Sequence, residues 1–280
     1  MTRIERRLLE WYARTGRADL PWRAERDPYF TLVSEFMLQQ TQVERVVPKF
    51  RAFVERFPTF DALAKATAAD VLRAWKGLGY NVRAVRLKRV AEAVVERHGG
   101  RMPRETATLL DLPGIGPYTA AAVRAFAFDL DDLPVDTNVR RIAQRLGHAL
   151  KPPRGKGHDW ASALMDLGAT ICRTRAPKCL LCPLRPQCAW APSVAGKPAR
   201  SARKRRASLP FEQTARYARG RVIDRLRDLP PGKRISLLDL HRDLEPVLPG
   251  RTADDVRAFV SALERDGLIA RDGESIALAE

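Results

Sequence analysis

Cys172, Cys179, Cys182 and Cys188 are the only cysteines in this 280-residue chain, and they fall within 17 residues. The gaps between them are six, two and five residues. Four thiolates so close in sequence can close around one soft metal centre, which forces the segment to fold back on itself. Structural zinc usually takes two short knuckles, with two to four residues inside each pair. Only the middle pair here is that close. The outer gaps suit a larger object, such as a [4Fe-4S] cube whose corners each need one thiolate. Zinc and a pair of disulfides are the competing readings. The disulfide reading suits an oxidising compartment. The N-terminus, MTRIERRLLEWYARTGR, reads instead as a charged amphipathic helix rather than a secretory leader. A reducing, cytoplasmic location is the expectation.

Lysine and arginine number 50 against 33 aspartates and glutamates, a net charge of +17. That excess predicts a polyanionic partner, nucleic acid above all. An arginine-rich composition alone would give the same total, but not its clustering. Arg173, Arg175, Lys178 and Arg185 stand in the cysteine loop with no acid between Cys172 and Cys188. Lys197, Arg200, Arg203, Lys204, Arg205 and Arg206 form a second acid-free run, rich in Pro, Gly and Ala. It reads as a solvated linker or as a basic arm that tracks a phosphate backbone. No stretch reaches the roughly 18 apolar residues of a membrane span.

Up to about residue 192 the pattern predicts an all-α fold. Leu32, Val33, Phe36, Met37, Val43, Val46 and Val47 recur at helical spacing, as do Leu87, Val90, Ala91, Val94 and Val95, and Val139, Ile142, Ala143 and Leu146. Pro48, Pro58, Pro103 and Pro113 are expected at turns or helix starts. Residues 210–280 read as a separate small winged helix. Its predicted helices are Arg219–Arg227, Ile235–Asp243 and Ala253–Asp266, the last capped by Thr252, with a hairpin around Asp272-Gly273. Such a module can lay its third helix in a DNA groove. Asp254, Asp255, Glu264 and Asp266 make this helix a poor phosphate ligand and favour an accessory role. The four histidines show no catalytic or metal-binding spacing.

Leu112-Pro-Gly-Ile-Gly-Pro-Tyr-Thr joins two helical stretches. Gly114 and Gly116 permit a tight turn with bare amides, and Pro117 suits the first turn of the next helix. A helix N-terminus of this kind is an anion site, here for a DNA phosphate; an ordinary helical corner is the plainer reading. The motif has the helix-hairpin-helix pattern. With Val135-Asp-Thr-Asn-Val-Arg-Arg141 and the cysteine run after it, the chain resembles the endonuclease III (helix-hairpin-helix-GPD) superfamily of DNA glycosylases. Leu20-Pro-Trp-Arg23 and Ser34-Glu-Phe-Met-Leu-Gln-Gln-Thr-Gln-Val43 resemble the MutY-type adenine glycosylases within it. The resemblance covers about residues 5–190.

The resemblance implies a six-helix barrel over residues 25–134 and an iron-sulfur cluster domain built from 1–24 and 135–192. A basic linker (193–209) and the winged-helix-like module (210–280) would follow. It implies a [4Fe-4S] cluster on the four cysteines and double-stranded DNA with mismatched or oxidised bases in the cleft; a monomer is the default expectation for a DNA scanner with one hairpin. Glu35 would protonate the departing adenine, although such a residue can also be a surface glutamate. Asp136 would stabilise the sugar cation, with Asn138 holding it; an N-capping role for Asp136 can coexist. Bifunctional relatives carry a lysine where this chain has Tyr118. A phenol forms no Schiff base, so a monofunctional enzyme is expected. Gln40 would enter the base stack as a wedge, with Tyr80 as a second wedge or a core residue. Trp22 and Arg23 would border the base pocket.

Three positions depart from the adenine pattern: Asn81 after Tyr80, Thr137 between Asp136 and Asn138, and Ala18 where an arginine is usual, with Arg17 one step earlier. The roughly 70 C-terminal residues are too few and too helical for the β-rich domain that usually reads 8-oxoguanine. The expected activity is removal of adenine opposite guanine or 8-oxoguanine. A uracil or thymine mismatch glycosylase, or a non-catalytic DNA-binding protein, is the alternative.

Overall fold

A computed structural model describes residues 1–191 and 210–280 as thirteen α-helices, short 3-10 turns and one three-stranded sheet. The basic linker expected at 193–209 lies outside the described residues. The chain divides into two compact units, one from Met1–Glu35 and the described part of Met102–Lys204, the other from Phe36–Arg101 and the described part of Arg205–Glu280. Among the described residues, no helix is long and apolar enough to cross a membrane.

The first unit contains α1 (Arg3–Thr15), most of α2 (Pro28–Leu38), α7 (Thr106–Leu110), α8 (Pro117–Phe126), α9 (Thr137–Leu146) and α10 (Gly157–Thr170). Thr2 and Glu5 form a reciprocal capping box at the start of α1. Asp27 accepts from the backbone N–H groups of Tyr29 and Phe30 at 2.6 and 3.1 Å, and Pro28 opens α2. Leu8 of α1, Val139, Ile142 and Leu146 of α9, and Trp160, Leu164 and Leu167 of α10 build one core. The three α9 residues stand at i, i+3 and i+7, so a single stripe of that helix is buried. Leu184 of the cysteine run joins this core, and Cys172, Cys182 and Cys188 pack against it.

The second unit contains α3 (Val43–Arg56), α4 (Phe60–Lys65), α5 (Ala68–Ala74), α6 (Val82–His98) and the C-terminal elements. Those are α11 (Ala215–Arg227), β1 (Ile235–Ser236), α12 (Leu237–Leu244), α13 (Ala253–Arg265), β2 (Ile269–Asp272) and β3 (Ser275–Leu278). The sheet order is β1-β3-β2, antiparallel throughout, with Asp272 opposite Ser275 across a two-residue turn at Gly273 (φ 57°). Two local expectations are corrected. Ile235 and Ser236 pair with β3 instead of starting a helix, and the Ser236 side chain caps α12. Pro48 lies inside α3, where it removes one backbone donor without ending the helix.

Residues 210–280 pack on α5 through α11 and β3. Arg227, only 7% exposed, donates to the Leu72 carbonyl at 2.8 Å, Asn81 Oδ1 at 2.7 Å and Asp224 Oδ1 at 2.9 Å. A buried guanidinium with three acceptors is a directional attachment that an apolar face alone would not give. Replacing it takes this donor from the buried Leu72 carbonyl and from the partly buried Asn81 side chain. Arg227→Ala is therefore expected to destabilise this unit by about 2–3 kcal/mol, read as a lower urea midpoint; an unchanged midpoint would mean that this attachment adds nothing to stability.

Candidate active site

Glu35 stands on the third turn of α2, between Ser34 and Phe36, both buried. Its own side chain is only partly exposed. Burial is the largest influence on its carboxyl and pushes the pKa up to about 7; the Tyr118 hydroxyl, hydrogen-bonded to it, and the charge of Arg23 pull the other way, while Asp136 adds to the rise. Tyr118 lies on the first turn of α8, immediately after the hairpin. Burial and the neighbouring Glu35 carboxylate push its phenol well above the usual range, so it remains a donor. Glu35, Tyr118 and Asp136 thus stand close enough to act on one another, although about 80 and 20 residues separate them along the chain.

Asp136 is the N-cap of α9, with Oδ1 accepting from the Val139 N–H at 2.7 Å. Its other oxygen accepts from Asn138 Nδ2 at 2.8 Å. Asn138 is held in turn by Arg141, which donates to Asn138 Oδ1 at 2.7 Å, the Gly168 carbonyl at 2.9 Å and the Cys172 carbonyl at 2.8 Å. Gly168 is needed for this arrangement: a Cβ there would lie 2.5 Å from the Asn138 Cβ. Both oxygens of Asp136 are therefore fixed by donors, an arrangement suited to an acceptor facing positive charge. Sequence reasoning did not single out Arg141 or Gly168. The signal for Gly168 was a glycine inside an otherwise apolar helix.

Arg23 ends a short 3-10 turn that starts at Pro21. Its Nη1 and Nη2 donate to the Asp166 carboxylate at 2.9 and 3.0 Å, and its guanidinium lies 6.0 Å from the Tyr12 ring centroid. Arg17 donates to the same carboxylate through Nε, Nη2 and its backbone N–H, at 2.7–2.9 Å. Asp166 is 1% exposed. Burial alone would raise its pKa, but the hydrogen bonds and charges of Arg23 and Arg17 outweigh that and hold it below the ordinary value. This acid was also missed. An aspartate between Met165 and Leu167, in the apolar stretch after Asp159, is its signal. Trp22 is half-buried beside Arg23.

The hairpin occupies Asp111–Gly116 between α7 and α8. Leu112 and Ile115 anchor it in the core, and the Ile115 N–H donates to the Leu112 carbonyl at 3.2 Å. Gly114 takes φ 88°, which a side chain would strain, and Gly116 is the N-cap before Pro117. Both glycines lie at the surface or partly so, leaving backbone donors accessible.

The four cysteines carry free thiols, and all of them line one cavity with Arg145, Ile171, Pro177, Arg185 and Trp190. About 300 Å³ of space lies inside it, counting its open side. Among the described residues, no three His, Cys, Asp or Glu side chains converge as they would on a single metal ion. Burial pushes the Cys182 thiol up to about 11, and the sulfurs of Cys172, Cys188 and Cys179 add to the rise. Four mutually repelling thiolate donors around one shared space fit a multi-atom cationic centre better than one small ion. Arg145 braces the loop: it donates to Cys172 Sγ at 3.2 Å and to the Arg173 carbonyl at 2.9 Å, and stacks 4.1 Å from the Trp190 centroid.

Gln40 and Tyr80 belong to the second unit, and both have left-handed backbones, at φ 57° and 45°. One buried guanidinium braces both turns. Arg83 donates through Nη1 to the carbonyls of Phe36, Met37 and Gln39, and through Nη2 to those of Leu78 and Gly79 and to Thr41 Oγ1, at 2.6–3.1 Å. Burial lowers its pKa to about 10.

The family of HhH-GPD superfamily base excision DNA repair proteins matches residues 33–156. An adenine DNA glycosylase of Mycolicibacterium smegmatis is 44% identical over 238 residues, covering 79% of each chain. One of Mycobacterium tuberculosis is also 44% identical, over 239 residues, covering 79% of this chain and 77% of its own. Among solved structures, a thermostable thymine-DNA glycosylase aligns with a TM-score of 0.63 at 33% identity, covering 68% of this chain and 95% of that one.

The raised pKa of Glu35 has a consequence for folding. A free glutamate titrates near 4.5, the folded one near 7. Between those values the folded state holds more protons than the unfolded state, so stability falls as pH rises from about 4.5 to about 7. Glu35→Gln is expected to be more stable than the parent at pH 8, by on the order of 3 kcal/mol, with the difference closing near pH 4. Urea midpoints across that range read it, and parallel profiles for the two proteins would contradict it.

Proposed function

The chain belongs to the adenine DNA glycosylases of the HhH-GPD superfamily, and on that premise we propose that it removes adenine mispaired with guanine or 8-oxoguanine and leaves an abasic site. The observation that carries this reading is a partly enclosed carboxyl with a pKa of about 7, in the same unit as a second carboxylate fixed by two donors. Breaking the bond between a purine and its sugar requires a proton on the leaving base and negative charge near the sugar cation. One carboxylic acid and one carboxylate divide those tasks, as in glycoside hydrolysis.

In this mechanism the duplex gives up its adenine to the pocket. Glu35, its pKa raised to about 7, gives its proton to the base, N7 being the receiving atom in the MutY-type pattern. Tyr118 donates its hydroxyl to Glu35 and restrains the carboxyl in the ionised state left behind. Asp136, fixed by Asn138 and the Val139 N–H, faces the oxocarbenium-like sugar and stabilises its charge. Tyr118 has no amine, so the enzyme stops at the abasic site. Trp22 borders the base pocket, and the charge of Arg23 pulls the raised pKa of Glu35 part of the way back down. Gln40 and Tyr80 fill the emptied stack, and the amides of Gly114 and Gly116 bind a backbone phosphate. The protein acts on double-stranded DNA as a monomer.

Cys172, Cys179, Cys182 and Cys188 would hold a [4Fe-4S] cluster. When bound, it would supply a rigid cross-link of the cationic loop rather than chemistry on the base. Protein purified without oxygen is expected to contain about four irons and four acid-labile sulfides per chain. One zinc per chain with no sulfide would overturn the assignment.

A second reading, removal of thymine or uracil opposite guanine, is favoured by the thymine-DNA glycosylase likeness and by Asn81 and Thr137. Single-turnover base release from duplexes with A opposite 8-oxoguanine, A opposite G, and T or U opposite G separates the two. Strand cleavage at A only after hot alkali is expected, with loss of about 10²–10⁴-fold in Glu35→Gln and a falling rate as pH rises through about 7. Release of T or U with none of A would replace adenine as the substrate. Cleavage without alkali would remove the monofunctional assignment.

A further inference from the structure

The ring of Tyr80 lies under two guanidiniums. Arg83, on its own side of the turn, is buried and already donates to five carbonyls, with its Cζ 5.6 Å from the ring centroid. Arg216 comes from the first turn of α11 in the C-terminal module, is exposed, and stacks with its Cζ 3.7 Å from the centroid. It also lies 5.5 Å from the ring of Phe211, which is 52% exposed and packs edge-on to Tyr217. Arg221 lies over Tyr217 in turn, at 5.2 Å. A run of cation–ring and ring–ring contacts thus leads from Tyr80 onto the C-terminal module.

The neighbours of Arg216 on α11 are neutralised. Arg219 pairs with Asp266, Arg221 and Arg227 with Asp224, and Arg225 with Asp243. Among the described residues no acid pairs with Arg216. Its charge acts unfavourably on Arg83, so the fold holds two like charges over one ring without a compensating acid. An anion would relieve that repulsion. Exposed aromatic faces beside an uncompensated guanidinium are the elements of a strand-binding surface, in which rings stack on bases and cations meet phosphates. The predicted recognition helix, α13, opens instead on acids: Asp255 closes a capping box with Thr252, and Asp254 pairs with Arg257.

We propose that Arg216 and Phe211 form a DNA-contact surface that the C-terminal module adds beside Tyr80, with Arg216 giving its free donors to a backbone phosphate and Phe211 its ring to a base. The inference rests on the DNA glycosylase reading. It places the module's contribution on the start of α11 rather than on its third helix.

The test uses the full chain, with duplex affinity measured by fluorescence anisotropy across a salt series for the parent, Arg216→Ala, Arg216→Lys and Phe211→Ala. Arg216→Ala is expected to bind about tenfold more weakly, with a salt slope lower by about one. Arg216→Lys should keep the parental slope. Phe211→Ala should weaken binding severalfold without changing the slope. Phe211 is exposed, so its variant keeps the test decisive should Arg216→Ala loosen the fold. Parental affinity and slope in both alanine variants would overturn the proposal. Duplex binding that depends on Arg216 in a protein that releases no base would support this surface while removing the glycosylase reading. Base release by a parent whose binding ignores Arg216 and Phe211 would remove this surface alone.

Discussion

Arg141 donates to the Asn138 side chain, to the Gly168 carbonyl at the end of α10 and to the Cys172 carbonyl at the mouth of the cysteine run. A guanidinium is planar and carries its donors in a fixed fork, so three acceptors from three segments determine one geometry. Asn138 cannot rotate without abandoning Arg141, and Asp136 cannot rotate without abandoning Asn138. The missing Cβ at Gly168 lets the two helices approach closely enough for this. The cysteine run enters the same arrangement through the carbonyl of its first cysteine. Whatever fixes that loop therefore also fixes one of the acceptors that orient Arg141.

The second unit uses a guanidinium in the same way, but to hold strain. A left-handed backbone at a residue with a side chain costs roughly 1–3 kcal/mol, and both Gln40 and Tyr80 have one. Arg83 takes up carbonyls at the C-terminal end of α2, which no helical donor can reach. With its other nitrogen it takes up those of the Gly-Leu-Gly turn. The two turns relax only if buried carbonyls lose a charged donor. The consequence is that the backbones of Gln40 and Tyr80 are set before any ligand arrives.

The parts legible in the sequence were those whose physics is local. The hairpin needs two glycines and a proline within a few residues. The Asp136 cap needs an amide three residues on. The cysteine spacing lies within one loop. Arg141, Arg145, Arg83 and Asp166 act through partners about 20 to 150 residues away or through backbone carbonyls, and a carbonyl has no sequence signature. Ile235 was misread because a two-residue strand has no period to detect, and its pairing partner lies some 40 residues on. Pro48 was misread because a helix packed on one face tolerates a missing donor on another. The attachment of α11 through Arg227 was equally illegible, because it depends on the Leu72 carbonyl and the Asn81 side chain rather than on any stretch of shared pattern.

Asp166 bears on the chemistry without touching a base. Arg23 is one of the charges acting on Glu35, and it lowers that carboxyl's affinity for its proton. Were the Arg23 guanidinium to pair directly with Glu35, the carboxylate would be favoured strongly and the acid would lose its proton at neutral pH. Asp166 prevents that by accepting both terminal nitrogens of Arg23, with Arg17 completing its neutralisation. Arg23 then acts on Glu35 only from a distance, against the larger effect of burial. The shifted arginine at position 17 belongs to this balance: it gives Asp166 enough positive charge to stay ionised while buried, and an ionised Asp166 is the condition for holding Arg23 where it is.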